Sequence, residues 1–135
     1  MDMENKRKHL EFIQTVINRM TSNSFLLKGW ALTLIAALFA LSAKDSNNSY
    51  IFITLLPVII FWILDGYFLS QERLFRDLYD DARKLKEEEI DFSMNTDKYK
   101  KNNRNSWISS IFSVTLFIYY LSLVAIMLFV IFLIM

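Results

Sequence analysis

Residues 51–84 read IFITLLPVIIFWILDGYFLSQERLFRDLYDDARK. The first half is an almost unbroken apolar run. A helix of ~20 such residues, rising 1.5 Å each, matches the ~30 Å hydrocarbon core of a bilayer. The second half is densely charged, yet no Gly or Pro interrupts it between Tyr67 and Asn95. The pattern predicts one long helix that crosses a membrane and projects into the cytoplasm. Asp65, followed by Gly66, sits near the inner end of the apolar half. A carboxylate at that depth costs a few kcal/mol unless something pairs it, which makes Asp65 a candidate functional residue.

The rest of the composition agrees with a membrane protein. The chain has 135 residues, 54% of them hydrophobic and 16% aromatic, with a mean hydropathy of +0.29. That length fits one domain and leaves no room for a separate enzyme domain. A net charge of +1 provides no basic excess to attract nucleic acid. The absence of cysteine excludes disulfides, a thiolate nucleophile and Cys-ligated metal. A single histidine, His9, excludes a histidine-rich site and reads as solvated among its charged neighbours. Glu87, Glu88 and Glu89 adjoin one another and so fall on different helix faces, which suits a metal poorly. No phosphate loop or nucleophile–base spacing is present. Neither catalysis nor a cofactor is expected.

Upstream of the deciding stretch, residues 1–24 carry Leu10, Ile13, Val16, Ile17 and Met20 at helical spacing. They predict an amphipathic helix that either packs on the protein's own cytoplasmic part or lies in the membrane interface. TSNS, residues 21–24, either caps the next helix or continues a single one. Residues 25–43, FLLKGWALTLIAALFALSA, form the first span. A signal peptide competes with this reading, but the long, mixed-charge segment before it favours a retained anchor. Gly29, Thr33, Ala36, Ala40 and Ala43 follow one another at alternating steps of four and three. Small residues so spaced let a second helix backbone approach closely. Residues 44–49 make a short external turn, and the second span covers residues 50–70. Pro57 near its middle frees the carbonyl of Ile53 and predicts a kink, with the Thr54 hydroxyl as a local substitute.

Downstream, residues 71–106 comprise a charged helix and a returning loop. Four i,i+4 pairs are expected along the helix: Glu72–Arg76, Arg73–Asp77, Asp80–Lys84 and Arg83–Glu87. Its apolar stripe, Leu74, Leu78, Ala82 and Leu85, suits packing against residues 10–20 in a helical hairpin that ends near residue 90. The third span covers residues 107–135 without a charged side chain, with Trp107 as interfacial anchor. The fold class is therefore an all-α membrane protein with three transmembrane helices and a cytoplasmic helical hairpin. Of the 15 basic residues, Lys44 alone lies in the first connection. Lys6, Arg7, Lys8, Arg19 and Lys28 precede that connection, and the rest lie in the second one. The positive-inside rule then puts the N-terminus in the cytoplasm of an inner-membrane protein and the C-terminus outside.

Lys28 lies fifteen residues before Ala43, and Asp65 fifteen after Tyr50, on antiparallel spans. Both therefore sit ~22 Å from the outer face, and each is followed by a glycine that would ease close approach. Three readings stand: a buried ion pair that fixes packing, a polar lining for an ion or proton path, and a lysine that snorkels to the headgroups.

Three segments carry a family resemblance: INRMTSNSFLLKGW (17–30), FWILDGYFLSQERLFRDLYDDAR (61–83) and DFSMN (91–95) with the later NSW (105–107). They resemble a group of small, largely uncharacterised multi-span membrane proteins of bacteria, similar in plan to the SLATT-type defence effectors. The third span and the lack of a nucleotide-sensing domain depart from the two-span SLATT plan. The resemblance implies a self-assembling effector of anti-phage defence that opens or disrupts the inner membrane when a partner senses infection. From the residues themselves, two classes compete: a homo-oligomeric pore in contact with membrane lipids, and a non-conducting scaffold that docks a soluble cytoplasmic partner.

Overall fold

The computed structural model describes residues 3–45 and 49–134, with side chains for 3–41 and 53–133. The regular structure is helical throughout: α1 (Glu4–Asp45), α2 (Ser49–Ala82), α3 (Trp107–Ile111) and α4 (Val114–Ile134), with short 3-10 turns at Glu87–Glu89, Asp97–Lys101 and Asn103–Asn105. Three of these helices are long and apolar enough to cross a membrane. The expected connection at residues 44–49 and the side chain of Ala43 lie largely outside the described residues, as does Met135.

The polar patch TSNS does not start a helix. α1 runs through it for 42 residues, and the Thr21 hydroxyl donates to the Ile17 carbonyl one turn back. The helix has no break at which its N-terminal part could turn to lie flat on a membrane. α2 likewise continues through Pro57 for 34 residues, with Thr54 fully buried beside it.

α1 and α2 pack antiparallel in a regular register. Thr21 donates to Glu72, and Lys28 meets Asp65. Those contacts are seven residues apart on each helix, the heptad step at which packed helices keep the same faces together. In the polar half, Ile13 and Ile17 of α1 are buried with Leu78 and Ala82 of α2. In the apolar half, Ala31, Ile35 and Val58 are buried with Leu116, Tyr120, Leu123 and Met127 of α4.

Two corrections to the sequence reading concern where helices stop. α2 ends at Ala82, not near residue 90. Just past it the Lys84 and Leu85 amides donate to the Asp81 and Ala82 carbonyls three residues back, and the chain then crosses to α1. There the Glu87 carboxylate accepts from the backbone amides of Asn5 and Lys6 at 3.0 Å each. Those amides are first-turn groups with no partner inside the helix, and an anion there also suits the helix dipole. Glu87 is thus a cap for α1, supplied from 81 residues away, and is not a partner of Arg83.

The second correction is in the third span, which is broken. α3 ends at Ile111, and α4 starts at Val114. Ser106 and Ser113 make both starts, their hydroxyls accepting from Ser109 and Leu116 amides. The Ile111 carbonyl left over at the break accepts from the Trp62 indole at 2.8 Å. α3 packs directly on Gly66, where an added Cβ would meet Ile111 Cγ1 and lie 3.1 Å from its Cα. Gly29 is different: a Cβ built there meets nothing within 4 Å.

The two glycines should therefore answer differently to substitution. Gly66→Val should lower stability by about 1–3 kcal/mol through overpacking, because the opposing atoms include backbone. Gly29→Ala should leave a single chain at least as stable, since Ala is the better helix former. Thermal unfolding in detergent micelles reads both, and equal stability of the two variants would contradict this packing.

Candidate functional site

The returning segment is held by one stripe of α2. The Ser70 hydroxyl donates to the Asn105 carbonyl at 2.6 Å, and Arg73 donates to the Arg104 carbonyl at 2.7 Å. The Asn105 amide donates to Asp77 at 2.6 Å, and the Tyr99 hydroxyl to Asp81 at 2.7 Å. Burial, and then the Asp81 carboxylate, push the Tyr99 phenol above its usual range, so it stays a donor. Arg73 and Asp77 thus serve the return of the chain and do not pair with each other as the spacing suggested. Asp80 meets Arg83, not Lys84, at 3.5 Å. Glu72 and Arg76 do pair, at 3.1 Å.

That return delivers α4 to the α1–α2 seam, where the charged residues of the apolar half lie. Lys28 Nζ is 2.6 Å from Asp65 Oδ2, and the lysine side chain is 19% exposed while that of Asp65 is 0%. Ser24, one turn before Lys28, donates to Asp65 Oδ1 and accepts from Lys28 Nζ at 2.8 Å. Tyr120 of α4 donates to Asp65 Oδ2 at 2.9 Å. The carboxylate therefore receives three donors from two helices other than its own, which is the satisfaction a buried anion needs. Tyr119 donates to the Lys28 backbone carbonyl at 2.7 Å, and its ring lies 5.9 Å from Lys28 Nζ. Trp62 stacks on Tyr120, with ring centroids 5.8 Å apart and planes at 8°.

Ser24, Tyr119, Tyr120 and Trp62 are the members that the sequence reading missed. Ser24 had a local signal, four residues before Lys28 on the same helix face. Tyr120 had none, because it lies 55 residues from Asp65. Gly66 serves the site from behind by letting α3 close on α2, whereas Gly29 approaches nothing within the chain. Trp107 keeps an exposed ring but donates its indole to the Ile63 carbonyl at 2.8 Å. It locks α3 to α2 as well as meeting the surface.

His9 is a correction. It is 1% exposed, not solvated, and donates through Nε2 to the Ser93 carbonyl at 2.9 Å. Among the described residues, no three His, Asp or Glu side chains gather as metal ligands do. Chemically, the Lys28–Asp65 cluster is a polar knot in which the carboxylate's acceptors and the surrounding donors are matched.

Loss of one member should expose the rest. Asp65→Ala strands Lys28 and two hydroxyls, and should cost ~3–5 kcal/mol. The double variant Lys28→Met, Asp65→Leu should recover most of that, because apolar replacements of a buried pair are often neutral. Tyr120→Phe should cost about 1.5–3 kcal/mol as the loss of a hydrogen bond to a charged group. Unfolding in mild detergent measures all three. A double variant as unstable as Asp65→Ala would show that the knot does more than neutralise itself.

Comparison with protein-family models, with curated proteins and with solved structures gives no match for this chain.

Proposed function

We propose that this chain is a homo-oligomeric protein of the bacterial inner membrane, a pore-forming or membrane-disrupting effector of anti-phage defence. In this reading the N-terminus and residues 71–106 are cytoplasmic, the polar ends of α1 and α2 form a cytoplasmic hairpin, and the C-terminus is outside. No catalysis is involved.

The observation that carries the reading is the outward face of α1. Leu27, Ala31 and Ile35 are buried within the chain, whereas Gly29, Thr33, Ala36 and Ala40 are all exposed. At ~100° per residue the second group falls on the side opposite the first. Seven residues before Gly29, past the large exposed Phe25 and Leu26, the exposed face resumes as the polar Ser22, Asn18, Thr15 and Glu11. α1 thus carries a small-residue seam that, among the described residues, faces away from the rest of the chain. Membrane helices associate by close backbone approach at such seams, and a second copy of α1 is a suitable partner.

A path through the membrane would then run between copies. Within one chain, Ala31, Ile35, Val58, Leu123 and Met127 fill the interior beyond Asp65. Thr54 is the buried polar side chain of that half among the described residues. The resemblance of residues 17–30 and 61–83 to SLATT-type effectors supports the defence role. One observation favours the scaffold reading instead: the Phe12 and Phe92 rings, 6.1 Å apart, stand exposed in the polar half. Apolar rings away from lipid suit the docking of a soluble partner.

Bulky substitution on the outward seam tests assembly and activity together. Gly29→Leu with Ala36→Leu should weaken self-association by ~10–100-fold, equivalent to about 1–3 kcal/mol of overpacking. Cross-linking and light scattering read the assembly, and dye release from liposomes should fall in parallel. Wild-type liposomes that stay tight across pH and added nucleotides, with no toxicity on overexpression, would favour the scaffold. Single cysteines at Asp2 and Met135 test the topology, since labelling of both from one side contradicts three spans.

A further inference from the structure

Beyond Ala82 the chain crosses the first three turns of α1 with three separate fasteners. Glu87 takes the Asn5 and Lys6 amides at 3.0 Å each. The Ser93 carbonyl takes the His9 Nε2 proton at 2.9 Å. The Phe92 ring packs on His9 and Phe12, at 5.6 and 6.1 Å between ring centroids. We propose that residues 87–96 are a latch, which opens as a unit from α1 while the rest of the polar half stays folded.

Two features place the closed latch under tension. Phe92 has φ 57°, in the left-handed region. A bulky side chain there is strained and persists only where its surroundings over-determine it. His9 Nδ1 is buried without a hydrogen-bond partner, and such atoms are rare because each forgoes water for nothing. Opening relieves both. What opposes it is a small set of polar contacts, the packing of Met94 and two rings that remain substantially exposed, few enough contacts for a segment that opens locally.

The hinge is equally well defined. Immediately after the latch, Tyr99 is bonded to Asp81 and Asn105 to Asp77. The segment that leads to α4 therefore stays on α2 when the latch lifts. Met94, which packs against the Ile13, Ile17, Leu78 and Ala82 cluster, leaves with the latch. Opening thus uncovers the polar-half end of the apolar seam between α1 and α2. The assignment of this motion as the regulator of conduction rests on the pore reading above, whereas the motion itself does not.

The chain has no cysteine, so a cross-link is specific. Hydrogen exchange of the protein in liposomes should show residues 5–6 and 87–96 exchanging together, ahead of residues 70–82. Glu87→Gln should speed exchange of both segments by about tenfold, as the loss of a charge-assisted bond, and leave residues 53–82 unchanged. A reducible bis-thiol link between Lys6→Cys and Glu88→Cys should slow both segments and lower dye release, with reductant restoring each. Latch amides protected as strongly as residues 70–82, or loosened on one side only by Glu87→Gln, would overturn the latch. Latch opening with no dye release from any variant would leave the latch standing and remove the pore. Dye release that ignores both Glu87→Gln and the cross-link would remove the latch's regulatory role.

Discussion

The structure depends on the need to satisfy one carboxylate. Asp65 lies in an apolar helix with its side chain fully buried, where an unpaired charge is prohibitive. It has no partner on its own helix. Ser24 and Lys28 come from α1, and Tyr120 comes from α4. A single residue thereby ties three long helices at one depth. A slip of α1 by one turn in either direction would put Met20 or Leu32 in place of one of these two donors. That makes the knot a device for register, a role buried ion pairs fill better than they add net stability.

The helices around the knot meet by tertiary contacts where turn residues are missing. The break between α3 and α4 contains no Gly or Pro. Serine caps start both helices, and the Trp62 indole takes the carbonyl exposed at the break. The N-terminus of α1 is capped from across the molecule by Glu87. In each case a backbone group orphaned by a helix end is paired with a side chain distant in sequence, as buried backbone requires.

α1 also presents a small-residue face away from α2 and α4. Leu27, Ala31 and Ile35 turn inward, while Gly29, Thr33, Ala36 and Ala40 face outward beside the exposed Phe25, Trp30 and Leu32. A lipid-facing surface gains nothing from small residues, since lipid tails solvate Leu as well as Ala. The interior beyond Asp65 is meanwhile well filled.

Much of this was legible along the sequence. Span lengths follow from runs of apolar residues, and the stripe of Ile13, Ile17, Leu78 and Ala82 follows from helical period. The meeting of Lys28 with Asp65 followed from equal distance to a short turn. These are local quantities, set by rise per residue and by the thickness of a bilayer. The tertiary structure decided what locality does not reach. His9 looks solvated among charged neighbours and is buried because residues 92–93 fold over it. Arg73 and Asp77 look like a helix pair and instead hold the returning chain. Tyr120 and Trp62 look like ordinary apolar filler until α4 is brought beside Asp65. Arg73, Asp77 and Asp80 had partners within reach along their own helix, whereas Asp65 and Tyr120 had none. Which partner each took was settled by the contacts between helices, where an unsatisfied group in a low-dielectric interior is far more costly than a surface pair is worth.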